Sequence, residues 1–352
     1  MKHITTFLSS ILFIILLASC GGIRDMRVQV MRPALITVPQ DIQSIAILNR
    51  SIPTAKGSLE SMVSGEKPLQ DKELSNECLR GLSETLFTSN RFVVKQVEYT
   101  MDASDPKSLT FGNVLDWATV DSICERLKVN GLLVLEYFDT DFTIFNPAGT
   151  AAQAVQGVLT GSQTTVEVTG TATASAGFRV YYAQKHIVSY EDHFRWKKVW
   201  RQRSTNAFEA IAKLIKRNQA LMDVSYITGR EFAMNIVPLY YWEPRDMYKG
   251  KKGEMAKGER QALSKDWEGA LKTWTYVYET HGKAKIRAKA AFNMALCHEV
   301  LGNLDEAQKW ASTSYVEGGK KPALQYSEIM DRRVREQARL KEQLGKEEPS
   351  QE

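Results

Sequence analysis

From Thr164 to Tyr182 the chain alternates. The even positions include Val166, Val168, Gly170, Ala172, Ala174, Ala176, Phe178, Val180 and Tyr182, and the odd ones are mostly Thr, with Glu167, Ser175 and Arg179. A strand turns successive side chains to opposite faces, so a period of two predicts a long strand with one small, apolar side and one polar side. Ile187 to Trp200 keeps this phase through Val188, Tyr190, Phe194, Trp196 and Trp200, and Lys185-His186 falls where a turn is needed. The two stretches together predict an antiparallel hairpin.

Upstream the pattern changes. Ser44 to Asn49 is a nearly continuous apolar run, which suits a strand buried on both faces. A helix is predicted from Asp71, with Leu74, Cys78, Leu82 and Leu86 on one side. Arg91 to Val97 reads as a strand. Asp116 to Lys128 reads as a helix burying Val120, Ile123, Cys124 and Leu127, with Asn130-Gly131 as its end. Leu132 to Phe138 is a further strand. This strand–helix–strand–helix–strand order predicts a mixed, partly parallel sheet with packed helices. Residues 51–70 and 146–162 read as loops, and Pro33 and Pro39 bracket an extended edge segment. Asn206 with Glu209 opens a helix running to about Asn235 and broken or bent near Gly229, with Phe208, Ile211, Ile215 and Met222 on its buried side. Pro238 and Pro244 stop it, and Tyr240-Tyr241-Trp242 between them are expected to staple two domains.

Beyond Lys249 the chain is helical and repeats. Asp266-Trp267-Glu268-Gly269-Ala270 is echoed by Leu304-Asp305-Glu306-Ala307, with Ala270 and Ala307 at matching places. Ala295, Leu301-Gly302, Ala307 and Ser314 resemble the small-residue and turn positions of the tetratricopeptide repeat, although Lys265 replaces the turn glycine of the first unit. The resemblance implies helix pairs with a concave face for an extended peptide or a partner helix, lined by Lys289, Phe292, Leu296 and Glu299. Pro322 to Leu344 would supply a capping helix.

The N-terminus carries Lys2, an apolar run from Phe7 to Leu17, and then Leu17-Ala18-Ser19-Cys20. The run is too short to span a bilayer. It resembles the bacterial lipoprotein signal, which implies cleavage before Cys20 and acylation of that residue. The lack of an acidic run after Cys20, where Gly21, Gly22, Ile23, Arg24 and Asp25 follow, favours, by analogy with lipoprotein sorting, the outer membrane with the body in the periplasm, and surface exposure stays open. The expected organisation is therefore α+β: a signal at 1–19, a lipidated tether at 20–32, a sheet domain at 33–248, a repeat domain at 249–346 and a frayed tail at 347–352.

Composition adds little. The formal charge is +5 from 46 basic and 41 acidic residues, and losing Lys2 leaves +4, which does not argue for nucleic acid. Cys78, Cys124 and Cys297 fall in apolar helical stripes and read as buried thiols, with a Cys78–Cys124 disulfide as the alternative. We find no nucleophile elbow, phosphate-binding loop or metal-spaced ligand set, so no catalytic residue, cofactor or metal is expected. His186 and His193 are seven residues apart on a hairpin, and Cys297-His298 diverge by about 100° on a helix. Phe194, Trp196 and Trp200 read as a sheet face under the 206–235 helix, the alternative being a glycan-stacking surface.

The element order of the first domain is similar to the sheet domain of TolB and, more loosely, of the curli-secretion lipoprotein CsgG. Through Ile45 to Ser51, Tyr240 to Tyr248 and Trp267 to Ala270 the whole chain resembles Bacteroidota lipoproteins that join such a domain to tetratricopeptide repeats. The resemblance implies a non-enzymatic interaction scaffold of the cell envelope, anchored to membrane lipid through Cys20 and holding an envelope protein or peptide in the repeat groove. Two alternatives stay open: a CsgG-like secretion pore built from the 164–182 hairpin, and a ligand-binding periplasmic domain.

Overall fold

A computed structural model describes residues 22–52, 68–102, 111–145 and 165–345. The expected signal, Cys20, most of both expected loops and the expected tail at 347–352 lie outside the described residues. The chain is α+β. It divides into two units, one of Ala34–Leu239 and one that joins Met1–Pro33 to Tyr240–Glu352.

The first unit is built on a five-stranded sheet of order β3-β2-β4-β5-β6. Its strands are β2 (Ser44–Ile52), β3 (Val93–Asp102), β4 (Gly131–Phe145), β5 (Val166–Tyr182) and β6 (Ile187–Ser204). β2 is parallel to β3 and β4, with helices α1 (Pro68–Thr88) and α2 (Trp117–Leu127) in the connections. β4, β5 and β6 then run antiparallel, and the predicted hairpin pairs from Val166 with Ser204 to Tyr182 with Ile187. Alternate residues of the central strands serve opposite faces. Ile45, Ile47, Leu133 and Leu135 pack with Cys78, Leu82 and Leu86 of α1, while Ala46, Leu48, Leu132 and Val134 pack with Val120, Ile123 and Cys124 of α2. That two-sided burial is why those strands read as unbroken apolar runs. It also puts the sheet between Cys78 and Cys124, which are both free and buried, so they form no disulfide. Burial, with Asp121 nearby, pushes the Cys124 thiol up to about 11.

Local signals explain the helix ends. Asp116 accepts from the Thr119 amide at 2.9 Å and caps α2. The helix stops at Lys128, whose φ is 51°, and not at the expected Asn130-Gly131. Asn130 is spent elsewhere, because its Oδ1 accepts from the Ser44 amide (3.0 Å) and hydroxyl (3.1 Å).

The expected single helix at 206–235 is two: α3 (Ala207–Lys213) and α4 (Arg217–Ile236). Leu214 and Lys216 take extended backbone between them. Gly229 does not bend the chain; it is where α4 crosses α1. A Cβ on Gly229 would stand 1.8 Å from the Cys78 carbonyl oxygen, and one on Gly81 would stand 2.1 Å from that of Tyr226. Backbone cannot yield as a side-chain tip can. Gly229→Ala is therefore expected to cost about 2–3 kcal/mol, the upper part of the overpacking range, read as a lower urea midpoint at unchanged slope.

Among the described residues the second unit contains five helices, α5 (Gly253–Leu263), α6 (Trp267–Thr280), α7 (Ala284–Val300), α8 (Leu304–Gly318) and α9 (Lys321–Leu344). It also contains strand, part of it at 23–32 where a tether was expected, while the described residues from Gly253 onward are helical, as expected. Ile23–Arg32 forms β1 and pairs with β7 (Leu239–Tyr248). The cause is a short period of two, by which Val28 and Val30 are buried with Met247, Tyr248 and the helices. Tyr240, Tyr241 and Trp242 lie in β7.

The repeated small residues sit where helices touch. Ala270, Ala295 and Ala307 are fully buried, and the Ser314 hydroxyl donates to the Ala288 carbonyl at 2.8 Å. The two matching turns both use left-handed backbone, at Gly302 (φ 81°) and Lys265 (φ 66°). A side chain there costs about 1–2 kcal/mol. Lys265→Gly should recover about 0.5–1 kcal/mol of it, the remainder going to glycine's greater unfolded-state freedom, and raise the thermal midpoint.

Candidate functional site

The polar side of the sheet begins with a buried carboxylate. A register irregularity between Leu135 and Tyr137 in β4 surrounds Glu136, which is 3% exposed. Its Oε2 accepts from Arg50 of β2 at 2.9 Å. Its Oε1 accepts from the Tyr181 hydroxyl of β5 at 2.8 Å, with the Arg179 guanidinium 3.4 Å away. The two arginines also hold the segment before α2: Arg50 donates to the Asn113 carbonyl (2.8 Å) and Arg179 to the Gly112 carbonyl (2.9 Å). The Tyr181 hydroxyl in turn accepts from the Leu115 amide at 3.1 Å. Burial and the adjacent Glu136 push the Tyr181 phenol up to about 12. Each oxygen of Glu136 is engaged by its own chain, so the cluster can fix residues 112–115 to the sheet.

Next along the face, the Tyr137 hydroxyl and the His193 ring hydrogen-bond across Gly177. Phe111 packs on both rings, at 5.8 Å and 4.7 Å between centroids. Burial, with Asp192 nearby, pushes the Tyr137 phenol up to about 12, which keeps it a neutral donor.

Beyond this pair the face opens into ordered rows. Asp139, Ser175 and Arg195 are cross-strand partners, as are Asp141, Thr173 and Lys197, then Thr143, Thr171 and Val199, then Phe145, Thr169 and Arg201. Strands stand about 4.8 Å apart, so each row spans about 10 Å. The result is an acidic stripe on β4, a hydroxyl ladder on β5 and a basic stripe on β6. Asp139, Asp141, Arg195, Lys197 and Arg201 are exposed. At the far end Glu167 holds Arg203 at 2.6 Å and Arg201 at 3.8 Å.

The opposite side of the same strands is covered. Ala172 and Ala174 pack with Ala220, Leu221 and Val224 of α4, and Trp196 and Trp200 pack against that cluster. Trp196 and Trp200 thus belong to a helix-covered sheet face. A cavity of about 630 Å³ lies at the carboxyl ends of β2 and β3, lined by Asn49, Lys72, Asn76, Gln96, Glu98 and Thr100 among others. The Asn49 amide already donates to Ser75 and Asn76, both at 3.0 Å.

The four residues expected to line a repeat groove do not face one. Phe292, Leu296 and Glu299 are at most 2% exposed, and Lys289 is half-buried with its ammonium 5.1 Å from the Tyr248 ring centroid. The chain itself fills this side of α7. Phe292 packs between Tyr248 of β7 and Tyr326 of α9, with ring centroids 5.0 Å away on each side. Asn293, fully buried, accepts from the Tyr248 amide (2.8 Å) and donates to its carbonyl (2.9 Å), clamping the strand. Glu299 accepts from Arg245 (2.7 Å), Arg333 (2.9 Å) and the Tyr326 hydroxyl (2.7 Å). Arg245 continues to Glu243 (3.0 Å), and Arg32 of β1 bridges Glu243 and Glu336. Cys20, the expected lipidation site, lies outside the described residues. Sequence reasoning missed the striped face, although the odd positions of the alternating stretch carried its hydroxyl ladder in plain view.

Comparison with known proteins adds two family matches and little else. No curated protein matches the chain. Among solved structures, a PelC dodecamer from Paraburkholderia phytofirmans in space group P6 is 8% identical, with 60% of this chain and 99% of that chain covered and a TM-score of 0.22. A variant PelC dodecamer from the same organism in space group C2 is 9% identical, with 61% and 99% covered and a TM-score of 0.22. At those scores the likeness carries no weight for fold or function. A family described as a domain of unknown function (DUF6340) matches residues 256–339, within the helical unit. A second family model matches residues 42–248, more than half of the chain, and the chain belongs to that family, described as a domain of unknown function (DUF8603).

Proposed function

We propose that this protein is a non-enzymatic docking scaffold of the bacterial envelope, anchored to the outer membrane through acylated Cys20 with its body in the periplasm. The docking surface is the striped face of β4, β5 and β6 and not the tetratricopeptide-like groove. One observation carries this reading: a face on which acidic, hydroxyl and basic residues are in register over two successive rows, Asp139-Ser175-Arg195 and Asp141-Thr173-Lys197, with Thr171, Thr169 and Arg201 continuing the hydroxyl and basic stripes beyond them. Such a face favours an envelope protein with stripes in the complementary order, because like-charge contacts reject other partners. The filled side of α7 supports assigning the helical unit a structural role. The apolar side of the hairpin is packed under α3 and α4, and a barrel strand would have to uncover it, which favours docking over a pore.

Crosslinking in intact cells followed by mass spectrometry tests the proposal. Arg195→Glu combined with Lys197→Glu should remove the crosslinked complex seen with the native chain, while palmitate incorporation stays unchanged. A complex that survives both reversals overturns the surface, and a chain that takes up no palmitate overturns the anchor.

A further inference from the structure

The start of β1 lies beside a basic cluster. The Gly22 carbonyl accepts from the Lys249 amide at 3.0 Å. Gly22 is two residues after Cys20, and two residues reach at most about 7 Å. Lys249 opens the turn Lys249-Gly250-Lys251-Lys252, in which Lys251 and Lys252 are exposed. A second basic element meets it from α7. Lys285 lies in the first turn of that helix and Lys289 one turn later, and the Lys289 ammonium stands 5.1 Å from the ring centroid of Tyr248, the residue before Lys249, where burial and then Lys285 and Lys251 hold it below its ordinary value. Ammonium groups from two separate elements therefore converge next to the point where the chain emerges.

This arrangement runs against helix electrostatics. The N-terminus of a helix carries partial positive charge and favours acids. Here Lys252 is the N-cap of α5, Lys283 is the N-cap of α7, and Lys285 follows within its first turn. Two of the acids nearby are turned elsewhere: Glu254 reaches Lys257 at 3.4 Å, and Glu259 accepts from Arg24 (3.0 Å) and the Gly250 amide (2.9 Å), while Asp25 and Asp246 lie close to each other on β1 and β7. Concentrated positive charge at two helix N-termini suits phosphate.

We infer that Lys251, Lys252, Lys285 and Lys289 form the membrane-facing surface of the helical unit and bind the phosphates of anionic phospholipid headgroups beside the acyl anchor. The inference rests on the reading of Cys20 as the lipidation site. Acyl chain and basic cluster then act as two signals at one place, and the cluster fixes which side of the unit lies on the bilayer.

The full lipidated chain, reconstituted into vesicles of phosphatidylcholine alone or of phosphatidylcholine with phosphatidylglycerol, tests it by lysine acetylation read by mass spectrometry. Lys251, Lys252, Lys285 and Lys289 should be acetylated at least about fivefold more slowly on the anionic vesicles, with the protection lost in high salt. Lys272 and Lys309, exposed on other helices, should be unaffected. Lys251→Glu with Lys285→Glu, both at exposed positions, should keep flotation with neutral vesicles and lose the protection at Lys252 and Lys289. Flotation with both vesicle types but equal acetylation rates overturns the inference. Failure of the anchor reads differently, as no palmitate and no flotation with neutral vesicles. In that case flotation with anionic vesicles alone still supports the cluster, and flotation with neither overturns it.

Discussion

Glu299→Ala is expected to destabilise the helical unit by about 3–5 kcal/mol, enough to unfold much of the population of an ordinary domain at growth temperature. The carboxylate is fully buried and holds the guanidinium groups of Arg245 and Arg333 and the hydroxyl of Tyr326. Its removal takes from two buried guanidinium groups the carboxylate they share, leaving Arg245 with Glu243, and the cost is their desolvation more than the lost attraction. Burial and Glu299 together push the Tyr326 phenol well up, so it stays a donor throughout the working range. Urea unfolding followed by far-ultraviolet circular dichroism measures the loss. Replacing Glu299, Arg245 and Arg333 together with apolar residues of similar volume should cost far less than Glu299→Ala alone, because the buried guanidinium groups leave with their carboxylate and Glu243 keeps Arg32.

The second large effect is expected at Glu136. Glu136→Ala leaves Arg50 and Arg179 without their shared carboxylate and should also cost about 3–5 kcal/mol. Here the local consequence separates from the global one. Arg50 and Arg179 also hold the carbonyls of Asn113 and Gly112, and Tyr181 holds the Leu115 amide. Amide hydrogen exchange at residues 112–115 should therefore accelerate before the sheet core does. Arg179 keeps a second acid, Glu191, so Arg50 should account for the larger share of the penalty.

The sheet was legible because it is written in short-range patterns. Alternation over 164–182 reappears as β5, and the apolar runs at 44–49 and 132–138 reappear as central strands flanked by helices on both faces. The limits were set by contacts distant in sequence. Ile23 to Arg32 carries only two buried alternate valines among four charged residues, and its partner β7 lies more than two hundred residues away. For the same reason Phe292, Leu296 and Glu299 looked available. Nothing in α7 itself reveals that Tyr248 and Tyr326 will close on them. Gly229 reads as a break or bend, but a close backbone crossing leaves the same mark in a sequence. The striped face needed registers across three strands, which periodicity in one strand does not supply.

The docking claim is tested most directly by a photo-crosslinking residue placed at single positions in living cells. Val199 is 37% exposed in the basic stripe of the sheet unit, and Val316 is 83% exposed on the helical unit. The account predicts one discrete envelope-protein adduct from position 199, lost when Arg195 and Lys197 are reversed to glutamate, and none from position 316. An adduct from position 316 with none from position 199 would contradict it.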